Sequence, residues 1–404
     1  MNRPMHDDFD PADYGVSREE LESLIEIRRH LHAHPELSNE EWETAEFIRE
    51  KLEEFGIEEV ETVADTGVVA VVEGSGEGPT LAWRADIDAL PIEETNDVDY
   101  KSTNRGVMHA CGHDVHTTVG LGIARRIHEN RDQLAGRVKF IFQPAEEATP
   151  EDEPVGAEKM ARAGVLEDPD VDAIFALHCM PKLEAGKIGY SGENVWAGSD
   201  LVEIEIQGQK AHGAFPHEGV DAGLVASHIV VALQSIVSRR VDARDSCVLS
   251  VGKIEAGNSY NILPESAKLT GILRAFSLEV ADAAQEEIRR LATSVAAGFG
   301  ATCEVTFTPG ARPVRNDVDL EREMVEAIRD VAPEVAVEHP PQLAAEDFAA
   351  FSRRVPGCYL FLGIRNEPKG IVNGLHTPNF DVDERCLAVG VGVMARALQA
   401  RRGY

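Results

Sequence analysis

A chain of 404 residues, 43% hydrophobic by composition, is long enough for two domains with ordinary cores. Its 71 acidic residues against 39 basic ones give a formal net charge of −32, which excludes nonspecific attraction to nucleic acid or to an anionic membrane surface. Only ten of the basic residues are lysines, and the acids are spread over every segment; this is the composition of a solvated surface adapted to high salt, where screening suppresses self-repulsion.

The opening segment MNRPMHDDFDPADYG is acidic and lacks the pattern of a signal peptide. No run approaches the roughly 20 apolar residues of a membrane span, so a cytoplasmic protein without membrane association is expected. Two helices follow: REELESLIEIRRHLHA, stopped by Pro35, and NEEWETAEFIREKLEEFG, stopped by Gly56. Beyond them β-rich apolar runs alternate with helical stretches: GVVAVVEG, PTLAWRADID, a helix after HACGHD, RVKFIFQPAEE and DAIFALHC. That order predicts an α/β domain with a mixed, largely parallel sheet flanked by helices. Ligands of such sheets collect beyond the carboxyl ends of the strands, and Asp86, Glu146, Glu147 and His178 each follow a strand-like run.

Near Ala197-Gly198-Ser199 the pattern changes to LVEIEIQGQ, a long helix around DAGLVASHIVVALQSIVSRR, CVLSVGKIEAG, SAKLTGILRAF, a second helix VADAAQEEIRRLATSVAAGFG, and TCEVTFTP. This β-α-β-β-α-β succession predicts a ferredoxin-like α+β unit over residues 199–309, inserted into a first domain made of residues 1–198 and 310–404. The α/β pattern then resumes with a helix after Asp317, a short helix near Glu346, the strand CYLFLGI and a final helix CLAVGVGVMARALQAR.

Chemistry-bearing residues lie in several separate segments. MHACGHDVH packs His109, Cys111, His113 and His116 around a glycine before an apolar helix. At a helix amino terminus a thiolate gains from the dipole, and a metal would deprotonate the thiol outright. QPAEE places Glu146 and Glu147 at the end of a buried strand, where one carboxylate can bind metal while the other takes a proton from water. His178 in FALHCMP and His376 in NGLHTPNF each follow apolar residues and shortly precede a proline, which places both at loop entrances. By contrast His30, His32 and His34 in RRHLHAHPEL read as the finish of a helix. A thiol, imidazoles and carboxylates gathered from across the chain, with no closed C-x₂-C spacing, point to an open, catalytic metal site. The six cysteines, Cys111, Cys179, Cys247, Cys303, Cys358 and Cys386, are too scattered for a disulfide framework and read as reduced thiols.

In their order along nearly the whole chain, RRHLHAHPEL, WRADIDALPI, MHACGHDVH, FQPAEE, AHGAFPH, NILPE and LHTPNF resemble the dinuclear metal amidohydrolases that include aminoacylases, hippurate hydrolases, auxin-conjugate hydrolases and related carboxypeptidases. The hippurate and auxin-conjugate branch is the nearest, because Cys111 stands where the wider family has a bridging aspartate and Arg84 where it has a histidine ligand. The resemblance implies two divalent ions per subunit, manganese or zinc with nickel and cobalt as alternatives, held by Cys111, His113, Glu147, His178 and His376. It implies Glu146 as general base and acid, Asp86 as a residue orienting a ligand, and an inserted unit that acts as lid and dimerisation domain of a homodimer. Within that unit His212 would stabilise the oxyanion, and Asn261 and Arg274 would hold the substrate. The expected reaction is hydrolysis of N-acyl or N-aroyl amino acids, a small-molecule substrate class, with a carboxypeptidase or dipeptidase as the alternative. A non-catalytic binding protein on the same scaffold would have no need of Glu146 as a proton shuttle.

Overall fold

The computed structural model describes residues 9–148 and 154–400. They form two compact units. One comprises the described residues up to Glu193, Arg315–Pro340 and those from Ala350 onward; the other comprises Asn194–Val314 and Pro341–Ala349. The inserted unit thus begins and ends a few residues outside 199–309, and it also recruits 341–349. Hydrogen bonding explains the recruitment: the Ala197 amide donates to the carbonyls of Gln342 and Ala344, and the Gln342 amide to that of Val195.

In chain order the first unit opens with α1 (Arg18–Ala33), α2 (Trp42–Glu54), β1 (Val60–Val63), β2 (Gly67–Glu73), β3 (Gly76–Asp86), α3 (His113–Glu129), β4 (Ala135–Gln143), α4 (Gly156–Arg162), β5 (Ala173–Glu184) and β6 (Ile188–Tyr190). The second unit carries β7 (Asn194–Trp196), β8 (Gly198–Gln207), β9 (Ala211–His212), α5 (Ala222–Arg239), β10 (Cys247–Ala256), β11 (Ile262–Leu263), β12 (Ser266–Ala275), α6 (Leu278–Gly298) and β13 (Thr302–Pro309). After the junction strand β14 (Val314–Arg315) come α7 (Val318–Val331), β15 (Ala336–Glu338), α8 (Ala349–Ser352), β16 (Gly357–Arg365) and α9 (Cys386–Ala400). The short helix expected near Glu346 is α8, displaced to Ala349; Glu346 lies before it and accepts the Phe348 amide at 3.0 Å.

Local chemistry sets these boundaries. Ser17 caps α1 by accepting the Glu20 amide at 3.1 Å, which satisfies one of the donors a helix start leaves open. Leu24, Ile27, Arg28 and Leu31 then recur at helical spacing on its buried face. Strands β5 and β16 are nearly continuous apolar runs, buried on both faces, as central parallel strands require. The sheet runs β1-β2-β4-β3-β5-β16-β6-β15, with β4, β3, β5 and β16 parallel at its centre. Asp86 and Gln143 are register partners at the carboxyl ends of β3 and β4, so the loops that follow both strands leave the sheet at one edge. Helices α3 and α9 cover one core together; a Cβ on Gly122 would come within 2.5 Å of the Val391 side chain, so glycine is what lets the two helices approach.

The second unit has the strand order β10-β12-β8-β13, all neighbours antiparallel. With α5 and α6 between the strands in sequence, this is the β-α-β-β-α-β arrangement. Its own core joins Val202, Ile204, Leu269 and Leu273 from the sheet to Ile229, Leu233 and Ile288 from the helices. By length and composition alone α5 could cross a membrane, yet it serves this unit as a core helix. One face, with Val225, Ile229, Leu233 and Ile236, belongs to the core, whereas Leu224, Val231 and Val237 are exposed.

Candidate metal centre

The chain reaches α3 through Met108–Gly112, and Gly112 turns it with φ +88°. A Cβ there would lie 2.9 Å from the Cys179 side chain, so any other residue would be strained by both φ and space. This turn leaves Cys111 buried, its Sγ 3.4 Å from His178 Nε2 and 3.3 Å from His376 Nε2. The helix dipole does not govern the thiol. Burial first, then the carboxylates of Glu147, Glu146 and Asp86, push its pKa well above the usual thiol range, so Cys111 becomes a thiolate only when a cation compensates the charge.

His113 opens α3 and donates from Nδ1 to the Asp88 carbonyl at 2.9 Å and to Asp88 Oδ1 at 3.2 Å. Among the described residues its buried Nε2 has no hydrogen-bond partner, and it lies 3.7 Å from Asp86 Oδ2 and 3.8 Å from Glu147 Oε1. Burial alone would lower the pKa of this imidazole, but Asp86, Asp88 and Glu147 outweigh it and raise the value to about 10. The carboxylates that hold a proton there would stabilise a divalent cation in the same way. His116, one turn further, is committed elsewhere: Nδ1 meets Asp86 Oδ1 at 2.5 Å and Nε2 accepts the Cys179 amide at 2.8 Å.

His178 donates from Nδ1 to the Cys179 carbonyl at 2.7 Å, and burial, then the neighbouring His116, depress its pKa well below the ordinary value. A neutral ring oriented by its own Nδ1–H is the form in which histidine binds metal. It does not sit at a loop entrance as its proline context predicted. Strand β5 continues past Pro181, and His178 is paired with Phe361 inside the sheet. His376 does come from a loop, with φ +58° and its amide bound to the Ala110 carbonyl at 2.8 Å; its Nε2 lies 3.3 Å from Glu147 Oε1.

The two glutamates follow β4 in a turn that needs φ +51° at Ala145. Buried Glu41 holds it, accepting the amides of Ala145 at 2.8 Å and Asn39 at 2.9 Å and the Thr66 hydroxyl at 2.7 Å. The Glu147 amide donates to Asp88 Oδ2 at 3.0 Å, and the buried Glu147 Oε1 has no hydrogen-bond partner among the described residues. Asp88 therefore spans two candidate ligands, and Ser38 fixes it with a 2.7 Å hydrogen bond to Oδ2. Neither Asp88 nor Glu41 stood out in the sequence. Both read as acids among many in an acidic chain.

All five residues expected as ligands come together. Donor atoms of Cys111, His113 and His178, of Cys111, Glu147 and His376, and of His113, Glu146 and Glu147 lie within 4.8 Å of one another in each group. Cys111 is common to two groups, and Glu146 belongs to the third alone of these. This mixture of soft, imidazole and carboxylate donors, with a buried His113 Nε2 and Glu147 Oε1 that make no hydrogen bond among the described residues, fits divalent transition ions. Asp86 lies behind His113 as expected, but it also binds His116 and the fully buried Arg84, whose Nη1 is 2.5 Å from Asp86 Oδ2 and whose Nε donates to Gln143 at 2.7 Å. A guanidinium thus neutralises Asp86 at that position.

The remaining expected residues lie in the second unit. His212, exposed on β9, accepts the Ala214 amide at Nδ1 at 3.1 Å, which leaves its proton on Nε2. The Asn261 carbonyl accepts the Gly213 amide at 2.8 Å, and its side-chain oxygen accepts from Ser259 at 2.7 Å. Arg274 on β12 is half-buried; its buried Nη1 has no hydrogen-bond partner among the described residues, and desolvation lowers its pKa.

Residues 82–400 match the model of peptidase family M20/M25/M40. An N-acetyl-L-cysteine deacetylase of Bacillus subtilis is 39% identical over 367 residues, 90% of this chain and 84% of that protein. Thermostable carboxypeptidase 2 of Saccharolobus solfataricus is 38% identical over 93% of this chain and 94% of its own. The crystal structure of Bacillus subtilis YXEP, described as a dinuclear metal-binding peptidase from the M20 family, superposes with a TM-score of 0.82 at 36% identity, covering 96% of this chain and 98% of that one. With a family model over most of its length and relatives of this identity over nine-tenths of it, the chain belongs to peptidase family M20/M25/M40 and is a hydrolase acting on amide bonds.

Proposed function

We propose that this hydrolase carries two divalent ions and cleaves the amide bond of N-acyl or N-aroyl amino acids. The observation that carries the proposal is Cys111 Sγ, shared by two donor groups beside a carboxylate that neither of those groups uses, Glu146. Manganese and zinc suit this donor set best. Bound there, such ions would polarise the scissile carbonyl and make a water acidic at neutral pH. Glu146 takes the proton from the attacking water and returns it to the departing amine. Asp88 keeps the His113 ring and the Glu147 backbone in place during the reaction. His212, with its proton on Nε2, can donate to the developing oxyanion. The half-buried Arg274 guanidinium suits the carboxylate of the released amino acid, and Asn261 would offer the substrate a further polar contact.

The Bacillus relative is named for deacetylation of an N-acetyl amino acid, which supports this substrate class. The carboxypeptidase relative supports a second reading, cleavage of peptides by the same groups, in which only the acyl side differs. In both, the second unit acts as a lid and joins two subunits, a role its exposed apolar residues on α5 support. Six free thiols support a reducing, cytoplasmic setting.

The test compares N-acetyl amino acids, hippurate and dipeptides with manganese or zinc, before and after chelation, in wild type and Glu146→Ala. The variant should lose at least about a hundredfold in kcat with its metal content unchanged. Full activity of chelated protein, or near-normal turnover in the variant, would refute the proposal; a preference for dipeptides would favour the second reading.

A further inference from the structure

The RRHLHAHPEL motif does more than finish a helix. Arg28 and His32 stand one turn apart on the inner face of α1, both fully buried, and neither belongs to the chemistry above. Two such cations in an interior are costly unless each is closely paired. They approach each other to 3.2 Å, and a carboxylate offsets that contact: Arg28 Nε donates to Asp114 Oδ2 at 2.8 Å, and His32 Nδ1 meets the same oxygen at 2.8 Å. His32 Nε2 faces Glu94 Oε1 at 3.3 Å. Carboxylates on both sides make the ring a double donor.

The two carboxylates lead to different parts of the centre. Asp114 directly follows His113 in the first turn of α3. Glu94 accepts the Ser102 amide at 2.7 Å and Asn96 Nδ2 at 3.0 Å. Asn96 Nδ2 also donates to the Phe380 carbonyl at 2.8 Å, and the Thr95 amide and hydroxyl donate to the Pro378 carbonyl at 2.7 and 3.0 Å. Arg28 reaches the same segment directly, with Asp381 at 3.6 Å and Glu384 at 3.5 Å. Pro378–Glu384 is the continuation of the loop that carries His376. Helix α1 therefore ties the segment of Cys111 and His113 to the segment of His376, 265 residues after Cys111.

We propose that Arg28 and His32, acting through Asp114, Glu94 and Asn96, are positioning residues that set His376 against Cys111 and Glu147. The donor group Cys111–Glu147–His376 depends on them, whereas in Cys111–His113–His178 the His113 ring is also fixed by Asp88 and His178 lies on β5. This rests on the metal reading above, and the test separates the two.

Metal-free full-length protein is titrated with cobalt(II) alone, followed by calorimetry and by the cobalt absorption bands, including thiolate-to-metal charge transfer from Cys111. Wild type should take up two ions. In His32→Ala one ion should bind within about threefold of wild type and the other about 10- to 100-fold more weakly. Asn96→Ala, at a partly exposed position that tolerates truncation, should weaken the same ion by a smaller factor. Leu24→Ala, a truncation of the same buried face without a polar link, should leave both affinities unchanged. Equal loss of both ions in His32→Ala, the same loss in Leu24→Ala, or wild-type affinities in both His32→Ala and Asn96→Ala would overturn the proposal. A wild type that binds no cobalt would remove the metal reading, and this proposal with it.

Discussion

His109 offers a quantitative test of how this interior treats charge. Its ring is 1% exposed and neither nitrogen has a hydrogen-bond partner among the described residues. Burial is the dominant cause that lowers its pKa from 6.5 to about 4. The folded chain thus holds the ring neutral while the unfolded chain protonates it below about pH 6.5, so stability from this group is complete above that pH and is lost as the pH falls toward 4. Linkage puts the loss at about 2 kcal/mol on going from pH 8 to pH 5, within a limit of roughly 3 kcal/mol for the whole shift. His109→Phe keeps the ring volume and removes the titration. The stability of the first unit in metal-free protein can be read from hydrogen exchange of β3 at constant salt, at both pH values, in wild type and variant. The variant should lose about 2 kcal/mol less than wild type, and groups common to both proteins cancel. Equal pH sensitivity in the two proteins would refute the account of His109 as a buried neutral base.

Two further outcomes follow from the geometry. Asp88→Asn puts an amide donor against groups that are themselves donors, the His113 Nδ1–H, the Glu147 amide and the Ser38 hydroxyl; calorimetry should show divalent affinity falling about 10- to 100-fold, and unchanged affinity would mean that Asp88 does not align the two candidate ligands. With a net charge of −32, transfer from molar salt to a few millimolar lengthens the screening distance from about 3 Å to over 30 Å, so the thermal midpoint should drop by several degrees; a flat salt dependence would dismiss a salt-adapted surface.

The order of elements and the inserted unit were legible because apolar periodicity survives in the sequence. Strand β5, for instance, reads as one buried run up to Cys179. Where it ends did not read, because Pro181 marks a stop that the pairing with β16 overrides. Candidate ligands were legible as residue types of unusual chemistry in short motifs. Their supports were not. Glu41 and Asp88 are ordinary acids in an acidic chain, distinguished only once the fold places the Ala145 amide and the His113 ring against them. The thiol of Cys111 misled in a similar way, since a helix start suggested a lowered pKa and only three-dimensional burial beside three carboxylates reverses the sign. The recruitment of 341–349 by the second unit depends on backbone hydrogen bonds that carry no side-chain signature.

The loop of His376 also bears on the order in which the protein is made. On the ribosome, where domains form as they emerge, the first four candidate ligands and the whole inserted unit are synthesised before His376, and α9 follows it. The four-stranded sheet of the β-α-β-β-α-β unit is complete in sequence at β13, before α7, β16 and α9 are made, and residues 341–349 join the unit later. A nascent or prematurely ended chain can therefore hold an incomplete donor set but cannot assemble the group that needs His376. Assembly of the donor group that includes His376 therefore waits until synthesis has passed that residue.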